Sequence, residues 1–125
     1  MTTDQDSKLI AIVDDDQSVQ KALQDLIESE GLSAQCFGSA EQFLQSSAQH
    51  RAACLIADIR MPGISGLELQ AKLKAGGCRI PIIFITAHGD AKMRVQAMRD
   101  GAVEFLTKPF DNAVLLETVQ AALRS

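Results

Sequence analysis

No apolar run in this chain comes near the roughly 18 residues that a membrane-crossing helix needs, so no membrane span is expected. Basic residues are scarce as well: 12 lysines and arginines face 16 aspartates and glutamates, a net charge of −4. Affinity for a phosphate backbone rests on clustered Lys and Arg. Direct nucleic-acid binding by this segment is therefore excluded, and any DNA contact falls to another domain. Cysteine is limited to Cys36, Cys54 and Cys78. An odd, widely spaced set without a Cys-x-x-Cys pair gives neither a disulfide framework nor a zinc site, and the three are expected to be reduced, mostly buried thiols. The opening MTTDQDSK lacks the basic and then apolar layout of a secretory signal. Residues 1–7 are expected to form a disordered polar tail, and the cytoplasm is the expected location. Internal repeats and low-complexity linkers are missing too, and 125 residues suffice for one domain that buries about two thirds of its unfolded surface.

What the sequence does contain is a regular alternation. Five short apolar runs, KLIAIV (8–13), AQCF (34–37), ACLIA (53–57), PIIFIT (81–86) and VEFL (103–106), are separated by longer stretches with helical periodicity. Runs this continuously apolar suit strands covered on both faces, as in a parallel sheet. In the first helical stretch Val19, Leu23, Leu26 and Ile27 mark one face, with Gly31 placed to end the helix in a left-handed conformation. Ser39, followed three positions on by Gln42, has the pattern of a capping box. GLELQAKLKAGG and DAKMRVQAMRDG both close on glycine, and the last stretch carries Leu116, Val119 and Leu123 on one side. Five strands alternating with five helices over residues 8–124 define a doubly wound α/β domain. In such sheets ligands bind beyond the carboxyl ends of the strands.

Those ends carry the polar residues that matter. Asp14, Asp15 and Asp16 follow the first strand, Asp58 the third, Thr86 the fourth, and Lys108 comes just after the fifth. Singly each is ordinary: Asp16 reads as a helix N-cap, and a lone Asp or Thr after a strand is usually turn chemistry. Together they are harder to dismiss. Parallel strands bring the acids to one rim, where their mutual repulsion calls for a divalent cation, and hard oxygen ligands select magnesium or calcium. A metal, a lysine, a hydroxyl and a free carboxylate are the parts needed to move a phosphoryl group onto an aspartate.

The ordered set IVDDD, LIADIRMPGISG, IIFITAHGD and EFLTKPF resembles the receiver domain of two-component response regulators, over nearly all of residues 8–124 and most closely in the FixJ-type transcriptional regulators. The resemblance implies a flavodoxin-like sheet of order 2-1-3-4-5. It makes Asp58 the acceptor of a phosphoryl group from a sensor histidine kinase, in a switch that promotes its own phosphorylation and dephosphorylation rather than turning over an external substrate. Magnesium is the implied cofactor, with manganese or calcium able to substitute. Its implied ligands are Asp15, Asp58 and the backbone carbonyl of Arg60, with Asp14 acting through water. Thr86 and Lys108 would contact the phosphoryl oxygens, Phe105 would be the aromatic switch, and the Lys108–Pro109 bond would be cis. A C-terminal helix-turn-helix output domain and a homodimer through the fourth helix, fifth strand and fifth helix are implied as well. Val114 and Ala121, off the packing stripe of the last helix, would add apolar surface to that face.

Some residues depart from the family pattern or stand outside it. Asp16 is a third acid whose role beyond capping is open, and Phe105 lacks a tyrosine hydroxyl, which favours an inward position even before phosphorylation. His88 and His50 read as exposed loop residues, and Met93 and Met98 as helix packing. Two rivals remain at this point. A haloacid-dehalogenase-like phosphatase would place its nucleophile in an Asp-x-Asp pair after the first strand, and a receiver-like module that has lost phosphorylation would lack an acid, the threonine or the lysine.

Overall fold

The computed structural model describes residues 8–87 and 91–124. The expected tail at 1–7 and His88 lie outside them. The elements run β1 (Leu9–Val13), α1 (Gln17–Glu28), β2 (Ser33–Phe37), α2 (Ala40–Gln45), α3 (Ala48–Arg51), β3 (Cys54–Asp58), α4 (Gly66–Ala75), β4 (Ile82–Thr86), α5 (Ala91–Arg99), β5 (Glu104–Thr107) and α6 (Asn112–Leu123). All five strands are parallel, in the order β2-β1-β3-β4-β5.

The continuously apolar runs of β1, β3 and β4 are explained by burial on both faces, whereas the edge strands β2 and β5 are mostly only half-buried and admit Gln35 and Glu104. Ala11, Val13, Leu55, Ala57 and Phe84 turn toward the side covered by α2, α3, α4 and α5, while Ile10, Ile12, Cys54, Ile56, Ile83 and Ile85 turn toward α1 and α6. Successive residues point to opposite faces, so a strand covered on both sides has no position left for a polar residue until it reaches the rim. Burial pushes the Cys54 thiol up to about 12, which leaves it an inert small hydrophobe. Cys36 and Cys78 are free and only partly buried.

Several local expectations change. The segment between β2 and β3 holds two short helices instead of one, giving six among the described residues. Ser46 makes the break: its hydroxyl donates to the Phe43 carbonyl at 2.8 Å and accepts from Ala48 N–H at 3.1 Å, closing α2 and opening α3. His50 is accordingly an exposed helical residue, not a loop residue. In α6 the fully buried side is Leu115, Val119 and Ala122, with Leu116 and Leu123 only partly buried beside it. Met93 packs on the core, whereas Met98 is exposed.

Helix entry is set by side chains. Ser39 accepts from Gln42 N–H, but Gln42 reaches back to Gly38 N–H rather than to Ser39 itself. Ser65 and Glu68 form a complete capping box at α4. Directly after it, Gly66 donates to the Ile59 carbonyl at 2.8 Å, so the helix starts against the end of β3. A Cβ at Gly66 would run into the backbone of Asp58 and Ile59. Gly66→Ala should therefore cost about 1–3 kcal/mol in urea unfolding, because backbone cannot yield as a flexible side chain would. Wild-type stability in that variant would show that α4 is free to shift outward.

Candidate functional site

The carboxyl ends of β1, β3 and β4 converge on one rim, and the chain leaving β5 returns to it. Asp14 follows β1 directly; its N–H donates to the Phe37 carbonyl at 3.1 Å, which extends the sheet pairing and leaves the carboxylate fully buried. Asp58 closes β3 and is 6% exposed. Thr86 closes β4 and is buried, and the Lys108 N–H donates to its carbonyl at 2.8 Å. The Lys108–Pro109 bond is cis.

Lys108 joins the set. Its Nζ donates to Asp14 Oδ2 and to Asp58 Oδ2, each at 3.0 Å. The remaining oxygens are held by backbone: Asp14 Oδ1 accepts from Asp16 N–H at 2.9 Å and Asp58 Oδ1 from Arg60 N–H at 3.2 Å. Asp15 is exposed, yet carboxylate oxygens of Asp14, Asp15 and Asp58 lie within 4.8 Å of one another. Asp16 points elsewhere, accepting from Ser18 N–H at 2.8 Å and Val19 N–H at 3.4 Å as the N-cap of α1. Phe105 is 4% exposed, in contact with the core beneath α5.

The electrostatics follow from burial. Desolvation raises the Asp14 carboxyl above its ordinary 3.8, outweighing the Asp16 N–H and Lys108, and the charge of Asp58 pushes the same way. For Lys108 burial opposes the ammonium, but the hydrogen bonds and fields of Asp14 and Asp58 prevail and hold it above 10.5. The lysine is thus charged at neutral pH, with three carboxyl groups gathered around the rim. A donor set of hard oxygens this close, one of them desolvated, fits a divalent cation.

Two contributors carried no sequence signal. Gln20, on α1, donates from Nε2 to the Asp14 carbonyl at 2.6 Å and so fixes the backbone from which the acid projects. Arg94, on α5, donates to the Phe105 carbonyl at 3.0 Å. Both contacts run from side chain to backbone across elements, where no motif spacing announces them.

The fold and this rim define a receiver: the chain belongs to the response regulator receiver domain family, whose model matches residues 10–120. It is 49% identical over 118 residues to the response regulator protein TodT of Pseudomonas putida F1, covering 94% of this chain and 52% of that protein. The structure of the response regulator StyR superposes with a TM-score of 0.88 at 45% identity, covering 94% of this chain and 60% of StyR. That of FixJ-N superposes with a TM-score of 0.84 at 38% identity, covering 94% of each chain. The chain thus spans about half the length of TodT. Family membership sets the phosphatase alternative aside. Among the described residues no helix is long and apolar enough to cross a membrane.

The raised Asp14 carboxyl sets a stability prediction. A group whose folded pKa lies above its unfolded value stabilises the fold below the unfolded value, and that contribution is lost as pH rises through the folded one. At neutral pH an ionised Asp14 is therefore a cost. Asp14→Asn in EDTA at pH 7 should raise Tm, since the amide keeps the shape of the side chain without the cost of a buried charge. The gain should shrink as pH falls toward 4. A lower Tm at pH 7 would mean that the ion pair with Lys108 outweighs desolvation.

Proposed function

We propose that this chain is a phosphorylatable switch of a two-component system, in which Asp58 accepts a phosphoryl group from a phosphohistidine on a sensor kinase. The observation that carries the reading is Lys108 bridging Asp14 and Asp58 at 3.0 Å each, with Asp15 alongside. Asp58 is the nucleophile, held by Arg60 N–H on one oxygen and Lys108 on the other. Once Asp58 carries the phosphoryl group as an acyl phosphate, Lys108 turns from its Oδ2 to the phosphoryl oxygens while keeping Asp14 as its second partner. Thr86, buried at the end of β4, supplies a neutral hydroxyl donor to the same oxygens.

Asp15, Asp58 and the Arg60 carbonyl would hold magnesium directly and Asp14 through water, with manganese or calcium as substitutes. The ion supplies charge neutralisation to the incoming phosphoryl group. Because Phe105 is already buried, we place the phosphorylation-dependent movement in Thr86, with Phe105 following rather than swinging from solvent. The same rim would promote hydrolysis of the phosphoryl group as well as its transfer.

The readout we propose is homodimerisation through α5, β5 and α6, driving a helix-turn-helix output domain in the full-length, cytoplasmic protein, with residues 8–124 as the receiver and 1–7 as its tail. The exposed large hydrophobics support that face: Val95 and Met98 lie on α5 and Val114 on α6. Val114→Glu should keep the chain monomeric in sedimentation with beryllofluoride, where wild type dimerises. A dimer indifferent to that change would point to another face.

For the chemistry, incubation with acetyl phosphate and magnesium should add one phosphoryl mass, and Asp58→Asn should abolish it. Asp15→Ala should weaken magnesium binding and phosphorylation together, whereas Asp16→Ala should leave both intact and cost about 1 kcal/mol of stability through the lost cap. Acid-stable phosphorylation of Asp58→Asn would contradict the assignment.

A further inference from the structure

β5 is the strand at one edge of the sheet, and an edge strand turns alternate backbone groups away from its neighbour. At Phe105 side chains take these groups. The N–H donates to Glu104 Oε1 at 2.9 Å, and the carbonyl accepts from Arg94 Nη1 at 3.0 Å. The other guanidinium nitrogen, Nη2, reaches the same Glu104 Oε1 at 3.5 Å. Arg94 Cζ also stands 5.9 Å from the centroid of the Phe105 ring. One arginine from α5 therefore closes a circuit around the backbone of Phe105 and lies over its ring.

We propose that Arg94 and Glu104 are positioning residues that hold Phe105 buried and pass its position to α5. The proposal rests on the reading of Phe105 as the aromatic switch. A plain surface ion pair would be an insufficient description, since exposed pairs contribute little and tolerate lysine for arginine. Here the planar fork matters: it gives one nitrogen to a carbonyl, another to a carboxylate, and presents a flat cation to a ring, which an ammonium cannot do at once. Arg94 is next to Val95 and one turn from Met98, both exposed. A displacement of β5 at Phe105 thus reaches the apolar patch of α5 through a single side chain. The clip has a second effect on the resting state. It fastens Phe105 in the buried position without help from a phosphoryl group, so it sets how far the switch leans before phosphorylation.

The test uses the 125-residue chain and three variants, Arg94→Ala, Arg94→Lys and Glu104→Gln. The Arg94 side chain is 54% exposed, so these substitutions leave the core packing alone. In the free protein, Arg94→Ala should speed hydrogen exchange of the Phe105 amide at least about tenfold while leaving that of Ile56 unchanged, as local opening of an edge allows. With magnesium and beryllofluoride, the response of the Met98 methyl signal should fall to less than half of that in wild type. Glu104→Gln should fall between wild type and Arg94→Ala. Arg94→Lys should behave like Arg94→Ala, whereas a role in surface charge alone would be rescued by lysine. Full rescue by lysine, or an Arg94→Ala variant matching wild type in both readouts, would overturn the proposal. A wild-type chain that ignores beryllofluoride would count against the phosphorylation reading instead, and the exchange rate of Phe105 in the free protein would still decide for or against the clip.

Discussion

The contact on which the site depends is the double hydrogen bond from Lys108 to Asp14 and Asp58. Two carboxylates at the ends of adjacent parallel strands repel each other, and one is fully buried. Such a pair persists only with a cation between them. The lysine supplies it, and the two acids in turn keep the lysine charged against the cost of its own burial. The arrangement covers part of the need, since Asp15 brings a third carboxyl group within 4.8 Å of the other two.

Everything else at the rim serves to bring these groups from distant parts of the chain to one place. The sheet order puts β1 beside β3 and β3 beside β4, so three strand ends align. The backbone then fixes the orientation of each acid: Asp16 N–H on Asp14, Arg60 N–H on Asp58, and Gln20 on the Asp14 carbonyl. Gly66 lets α4 begin directly against the end of β3. Asp14 and Asp16, two residues apart, end up with unlike tasks because one faces the rim and the other caps α1. At the far edge of the sheet the same economy appears at Phe105, where side chains complete the hydrogen bonding of an edge strand.

Much of the fold was legible because a strand covered on both faces has an unmistakable pattern, an apolar run ending where the polar residues begin, as in β1, β3 and β4; the half-buried edge strands β2 and β5 show it more weakly. The site was legible for the same reason, since the polar residue that ends such a run must sit at the rim. Elsewhere the pattern was ambiguous. Leu115 and Leu116 are adjacent, and only packing against the sheet decides that Leu115 is fully buried while Leu116 is not. The split between α2 and α3 depends on one hydroxyl, that of Ser46, bonding in both directions. Gln20 and Arg94 could not be singled out because their partners are backbone atoms of other elements, which leave no mark on spacing.

Lys108 and the proposed metal ion compete for the same carboxylates, the lysine meeting part of the acids' need for positive charge. Calorimetric titration of magnesium into Lys108→Ala addresses this competition directly. Removing a positive charge that competes for the same carboxylates should tighten magnesium binding by about tenfold or more, the effect of about 1.4 kcal/mol of relieved repulsion. Magnesium affinity unchanged or weakened in that variant would show that the lysine and the metal do not compete for these carboxylates.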